Sequence, residues 1–430
     1  MRETLSTRRR ILKSGAALTG AGLLAGCSGD GGSVSGNDGD GNSAGTGTGG
    51  NSGGSSSASD GTITVGTIHP QTGPYAVFTE SVEASVQIAA DRINQNGGVN
   101  GNTIEVLNRD SQLDPSTAVQ EARDLVQAEN ADILVGATSS AVTRAITDVA
   151  KRNGVIQLNA TSASPSLTGE NCSRYFFRFR PTTEHQAIPF CPWLYENVGQ
   201  TMSIYYSDYA WGQSGLENFS AEFEDAGGEV LNSVAVPLGT SDQSSYISSI
   251  DTNADVLVPV MGGSDAAAFL EQGNSYGIFE EMEVAAPGSD FLGGHLEQAI
   301  EGMTIITAFM PRAVGLWDTP YIQNFIDEYQ SRMDGMPMMQ SIRPFDMMNQ
   351  VFSTAASIDY GGRGDTDALI GALQGREFSA DNYARAAFIR SANNQMTYEQ
   401  AIMRAENDSF TQMKAAALDP LRDIPTQCEF

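Results

Sequence analysis

From residue 62 onward, apolar and polar positions switch repeatedly between two periods. Residues 62–68 form a short β-branched run, the pattern of a strand. Val82, Val86, Ala89 and Ile93 then follow at spacings of four, three and four, which marks one face of a helix. The Gly/Asn-rich stretch 96–101 closes that helix with residues that tolerate positive φ. A strand at 103–107 leads to Asp114-Pro115, an N-cap followed by proline in the first helical position. The helix they open turns Ala118, Val119, Ala122, Leu125 and Val126 inward. An apolar strand at 131–136, a helix at 142–152 and a strand at 155–159 continue the alternation. Such β-α-β alternation predicts an α/β fold, a parallel sheet with helices on both faces.

A second series begins near residue 202. Strands are predicted at 203–207, 230–236, 255–260, 283–286 and 303–307, with helices at 213–226, 244–251, 265–276 and 296–302. A third block, 312–430, carries helices at 320–333 and 345–360, then a mixed segment too short for another such unit. The economical arrangement returns this block to complete both earlier units. Two doubly wound lobes are therefore expected, 62–183 plus 312–395 and 184–311 plus 396–430.

The first 61 residues have a different character. Thr7-Arg8-Arg9-Arg10-Ile11-Leu12-Lys13 is a charged start, followed by a small-residue apolar stretch too short to span a bilayer. It resembles a twin-arginine export signal. Leu24-Ala25-Gly26-Cys27 resembles a lipobox, so residues 1–27 read as an export signal with Cys27 as the lipid-modified residue. Residues 28–61 are rich in Gly and Ser and hold no aromatic, which predicts a disordered tether. As a flexible coil it reaches roughly 30–35 Å. Gly41-Asn42-Ser43-Ala44-Gly45 matches the nucleophile-elbow pattern formally but lacks the flanking strand and helix.

Composition narrows the partners. With 24 Lys plus Arg against 52 Asp plus Glu, the net charge is −28, which argues against nucleic acid or an anionic lipid surface. The lysines are Lys13, Lys151 and Lys414 alone. An acidic, Lys-poor surface suits solubility in high salt and points to a halophilic, haloarchaeal source. Beyond Cys27 the cysteines are Cys172, Cys191 and Cys428. A Cys172–Cys191 bridge closing a short loop is plausible, with Cys428 as the odd thiol, although three pairings are open. No C-x-x-C occurs, and His69, His185 and His295 lie far apart, so neither a metal site nor a cofactor is expected.

Several collinear motifs resemble the branched-chain amino-acid binding proteins that serve ATP-driven importers of the Leu/Ile/Val type. They are Val65-Gly66, Gly73-Pro74, the helix end at 94–101, Asp110 with Asp114-Pro115, and Gly136-Ala137-Thr138-Ser139-Ser140. Ser162-Ala163-Ser164-Pro165, Tyr209-Ala210-Trp211-Gly212 and Asp255-Val256-Leu257-Val258 follow in the same order. The resemblance implies a periplasmic-binding-protein type I fold, two lobes closing over a ligand about a three-segment hinge. It places the crossings near 180–184, 309–312 and 390–400.

Ligands of open α/β sheets bind beyond the carboxyl ends of the strands, where helix N-termini favour anions. The resemblance assigns Ser139 and Ser140 to a ligand carboxylate, and the turn Thr161, Ser162, Ala163 and Ser164 to further polar contacts. It makes Tyr75 and Phe78 covering aromatics in the first lobe, and Tyr209 and Trp211 their counterparts in the second. Asp290 would meet an α-ammonium group, with Asp265 in reserve.

The function implied is an extracytoplasmic, lipid-anchored receptor that delivers a small polar solute, foremost a branched-chain amino acid, to a membrane permease. Short amides, urea or small carboxylates are the alternative ligands, and a sensory ligand-binding module the alternative role. No catalytic residue set is recognisable, so an enzyme is not expected, and a monomer is the default for a tethered receptor.

Overall fold

A computed structural model describes residues 61–430, apart from 289–300, 308, 310–318, 338, 407–408, 417–420 and 422–423. The export signal, the tether, Cys27, Asp290 and His295 lie outside the described residues, as does most of the helix expected at 296–302.

The first lobe is built as its periodicity predicts. It runs β1 (Thr62–His69), α1 (Ala76–Gln95), β2 (Thr103–Asp110), α2 (Pro115–Gln127), β3 (Ile133–Gly136), α3 (Ser140–Asn153), β4 (Ile156–Asn159) and β5 (Phe176–Arg178). The strands form a parallel sheet in the order β2-β1-β3-β4-β5. β3 and β4 are buried throughout, as expected for strands covered on both faces. Asp114 caps α2, its side chain accepting from the Thr117 N–H at 2.7 Å.

The second lobe holds α4 (Thr183–Asn197), β6 (Thr201–Ser207), α5 (Ala210–Asp225), β7 (Glu229–Val236) and α6 (Ser244–Ile247). It continues with β8 (Val256–Val260), α7 (Gly263–Ser275), α8 (Ile278–Glu281), β9 (Glu283–Ala286) and β10 (Thr304–Thr307). The chain then returns to the first lobe with α9 (Pro320–Arg332), α10 (Met339–Ala356) and α11 (Thr366–Leu373). A small antiparallel sheet follows, of β11 (Glu377–Phe378), β12 (Ala387–Ile389) and β13 (Met396–Tyr398). Phe325, Phe345 and Phe352 from this block join Val65, Val135 and Leu158 in one core. Last come β14 (Gln400–Glu406) and β15 (Ser409–Ala416), antiparallel additions to the second sheet, whose order is β15-β14-β10-β9-β8-β6-β7.

The chain thus passes between the two sheets' elements after Arg178, after Thr307 and after Tyr398. Two helices carry proline in their interior, and one of them starts earlier than expected. α4 contains Pro189 and Pro192, and α10 begins six residues before the expected start and runs through Pro344. Proline removes a helical donor, but burial of Phe190 and Leu194, and of Ile342 and Phe345, holds each helix in place.

The chain end also differs. The disulfide joins Cys172 to Cys428, across 256 residues of sequence, and Cys191 is a buried free thiol within α4. A Cys172–Cys191 bridge is therefore not formed. Thr426 donates through Oγ1 to the Thr168 carbonyl at 3.2 Å, so residues near 426 lie on the first lobe's loop. They do not extend the second lobe, where the span 396–430 had placed them.

Candidate functional site

The loops at the carboxyl ends of β1, β3, β4, β6 and β8 converge between the lobes, where ligands of such sheets gather. They enclose a narrow cavity of about 20 Å³, roughly the space of one water. Tyr75, Phe78, Thr138, Thr161, Ala163 and Gln340 line it from the first lobe, and Tyr209, Trp211 and Gly262 from the second. Arg180, on the first crossing, completes the wall.

Four aromatic rings form a continuous arc. Tyr75 stacks on Phe78 at 6.0 Å between centroids, faces Tyr209 at 5.9 Å, and Tyr209 meets Trp211 at 6.2 Å. The Tyr75 hydroxyl donates to that of Tyr209 at 2.6 Å, and the Ser264 N–H donates to the Pro74 carbonyl at 3.0 Å. Both bonds join the two lobes, so the cavity is closed on this side. Burial first, and then the neighbouring Tyr209, push the Tyr75 phenol well up, keeping it protonated.

The polar groups are few. Arg180 is buried, with its guanidinium carbon 5.7 Å from the Trp211 ring centre and Nη1 donating to the Thr161 carbonyl. Trp211 Nε1 and Gln340 Oε1 are buried without a hydrogen-bond partner. Such groups cost about 1–3 kcal/mol each when left unmet, so they mark where polar solute atoms belong. Behind the wall, His69 Nδ1 lies 3.3 Å from Thr138 Oγ1. Burial lowers the His69 pKa to about 4, so its ring is neutral near pH 7.

The structure sorts the residues expected from sequence. Tyr75, Phe78, Thr161, Ala163, Tyr209 and Trp211 are brought round one cavity. Thr161 contributes its position more than its hydroxyl, which donates to the Ala137 carbonyl at 2.9 Å. Four serines are not among the lining residues. Ser162 Oγ donates to the Ala137 carbonyl at 2.6 Å, and Ser140 Oγ accepts from the Ser164 N–H at 3.3 Å. Ser139 is the cap residue of α3 without a side-chain capping bond, and Thr138 takes the cavity position beside it. Ser164 faces a separate, larger groove with Glu184, Glu217 and Arg390.

Asp265 does not line the cavity either. Its carboxylate accepts from the Gly239 N–H at 3.0 Å and from Ser207 Oγ at 3.4 Å, and burial pushes its pKa up. Arg180, Thr138, Gln340 and Gly262 escaped the sequence reading. Arg180 had a signal, a cation just past a strand's carboxyl end, but was read only as hinge. Gln340 had none, because α10 reaches the site through tertiary packing, on α1 and against the chain after β4. Among the described residues no group of three or more His, Cys, Asp or Glu could hold a metal ion. No helix among them is long and apolar enough to cross a membrane.

A family model described as periplasmic binding protein matches residues 62–409. The chain belongs to that family. It binds a solute rather than transforming it, and its α/β lobes are those of the type I fold. The periplasmic binding protein is 25% identical over 292 residues to Leu/Ile/Val-binding protein homolog 7 of Brucella abortus, covering 64% of this chain and 72% of that one. A Rhodopseudomonas palustris solute-binding protein in complex with benzoate superposes with a TM-score of 0.75 at 16% identity, over 86% of this chain and 100% of that one. A branched-chain amino-acid transporter binding protein from Streptococcus pneumoniae, in complex with isoleucine, gives 0.69 at 18% identity, over 82% and 98%. At these identities the structural likeness speaks for the fold alone.

Proposed function

We propose that this periplasmic binding protein captures a small carboxylate-bearing solute between its lobes and delivers it to the permease of an ATP-driven importer. Cys27 is the site of its lipid anchor outside the cell membrane. The supporting observation is the pairing of two donors at the cavity wall, the Arg180 guanidinium and the buried, unpartnered Trp211 Nε1. A guanidinium in a low-dielectric pocket favours a carboxylate through charge-assisted hydrogen bonds. The relatives' printed roles, Leu/Ile/Val binding and transporter solute binding, support the same role here.

The arc of four rings suits a ligand with an apolar body, and an aromatic monocarboxylate of the benzoate type is the first reading. A branched-chain amino acid is the second reading. It needs an acid for the ammonium group, a role that falls to Asp290, since Asp265 is engaged elsewhere. Calorimetric titration in molar salt with benzoate, 4-hydroxybenzoate, leucine, isoleucine, urea and short amides separates these readings. Binding of a carboxylate that drops at least 100-fold in Arg180→Met is the expected result. An Arg180→Met protein with undiminished affinity would overturn the proposal.

A further inference from the structure

Two arginines stand two residues apart where the chain first crosses between lobes. Arg180 reaches the solute cavity, whereas Arg178 is fully buried beside it. All hydrogen-bond acceptors of the Arg178 guanidinium are neutral. Nε donates to Gln395 Oε1 at 2.5 Å, Nη1 to the Ser164 carbonyl and Nη2 to Thr168 Oγ1. Burial lowers its pKa to about 9, with Arg180 adding to the effect. Burying a cation on uncharged acceptors is unfavourable for stability, so what these bonds hold in place matters.

They hold the two ends of the ligand loop. Arg178 fixes the Ser164 carbonyl and Thr168, and Arg180 fixes the Thr161 carbonyl. Gln395, in the turn between β12 and β13 and wholly buried, ties them together. Its Oε1 accepts from Arg178 Nε and from Thr168 Oγ1 at 3.2 Å, and its Nε2 donates to the carbonyls of Arg180 at 2.7 Å and Met396 at 2.5 Å. Both donors and both acceptor sites of the amide are thereby used. The Arg178 N–H also donates to the Asn394 carbonyl at 3.1 Å, so backbone and side chain reinforce one link between the end of β5 and the β12–β13 turn.

We infer that Gln395 is a positioning residue for solute recognition, setting the Arg180 backbone directly and the Thr161–Thr168 loop through Arg178. An amide here, in place of a carboxylate, keeps the clamp uncharged, so the field of the two guanidiniums reaches an anionic solute. This rests on Arg180 being the carboxylate-binding cation.

The test needs no bound solute at its first stage. With Trp193→Phe and Trp317→Phe in the full chain, indole emission reports Trp211, which lies beside the Arg180 guanidinium. Gln395→Met and Arg180→Met should shift that emission in the same direction, and the double variant should shift it no further than Arg180→Met alone. Residues that act as one unit show this non-additivity. At the second stage, the preference for benzoate over benzamide, and for isoleucine over isoleucinamide, is measured by calorimetry. It should fall at least tenfold in Gln395→Met, acid binding losing more than amide binding. Gln395→Glu, matched in size, should fold and lose the same preference, because it removes the donor to Arg180 and neutralises Arg178.

Wild-type emission in folded Gln395→Met or Gln395→Glu, additive shifts, or equal losses for acid and amide would each overturn the inference. Failure of the underlying reading looks different: Arg180→Met then retains the acid preference, whatever the emission shows.

Discussion

The hydroxyls of Tyr75 and Tyr209 meet across the cleft at 2.6 Å, one from the loop after β1 and the other from the cap of α5. This bond exists only while the lobes are closed. With the Tyr209 hydroxyl removed, closure buries that of Tyr75 without this bond, at about 1–3 kcal/mol. With both removed the penalty largely disappears. Tyr209→Phe should therefore weaken solute binding by roughly 5- to 100-fold, mostly through faster release, and Tyr75→Phe with Tyr209→Phe should bind more tightly than that single variant. Stopped-flow release rates decide the matter, since equal rates in all the proteins would remove the latch from the account of closure.

Acid sensitivity follows from the buried histidines. Burial takes His69 to about 4 and His185 to about 3, the latter helped by Arg178 and Arg390. Both lie below the unfolded value of about 6.5, so the unfolded chain gains protons that the folded one refuses. Their contribution is intact above pH 6.5 and is lost as pH falls towards 4. Asp346, raised to about 6 by burial, acts in the opposite sense. Its folded form holds a proton more readily, which favours folding below its unfolded pKa and fades as pH rises through 6. In urea titrations, the stability difference between the parent and His69→Gln should change by about 1.4 kcal/mol per pH unit from 6.5 to 4. Parallel pH profiles for the two proteins would contradict a buried neutral His69.

Cys172–Cys428 ties a distant chain end to the loop that leaves the ligand turn. Thr426 Oγ1 donates to the Thr168 carbonyl at 3.2 Å, and Arg390 Nη2 donates to the Ile424 carbonyl, so the tail is anchored by more than sulfur. A loop this long favours folding by up to about 5 kcal/mol through the unfolded state. Cys428→Ser should lower the thermal midpoint by several degrees, and reductant should do the same to the parent. Cys191→Ser should respond to reductant as the parent does, because Cys191 is buried and its thiol is pushed well up by that burial. A midpoint indifferent to reductant would speak against the bridge.

Local signals made the sheets and their order of elements readable. The strand at 62–68 and the capped helix after Asp114 needed only neighbouring residues to declare themselves. The cavity's aromatic arc was readable for a related reason, since Tyr75 and Trp211 sit in Gly- and Ser-rich turns just past strand ends. What escaped depends on distance in sequence. The partner of Cys172 lies 256 residues away, and Gln340 comes to the site through the tertiary packing of α10, which touches α1 and the Ala160 carbonyl. At the β3–α3 turn Thr138 lines the cavity, while Ser140 Oγ accepts from the Ser164 N–H. Proline in α4 and α10 hid helices that tertiary burial maintains.

Gly263 offers a way to separate closure from folding. It opens α7 with φ +62°, and a Cβ there would lie 2.1 Å from the Pro74 carbonyl oxygen of the other lobe. That oxygen already accepts the Ser264 N–H, so the loop cannot retreat without losing an interlobe bond. In an open protein the same Cβ meets no such obstacle and costs only the left-handed strain of about 1–2 kcal/mol. Gly263→Ala should thus keep a solute-free thermal midpoint within a few degrees of the parent. Its solute affinity should fall more than 100-fold, and small-angle scattering should show no compaction when solute is added. Parent-like affinity in Gly263→Ala would mean that solute capture proceeds without the Pro74–Ser264 contact, and the closed arrangement of these loops would then have no part in binding.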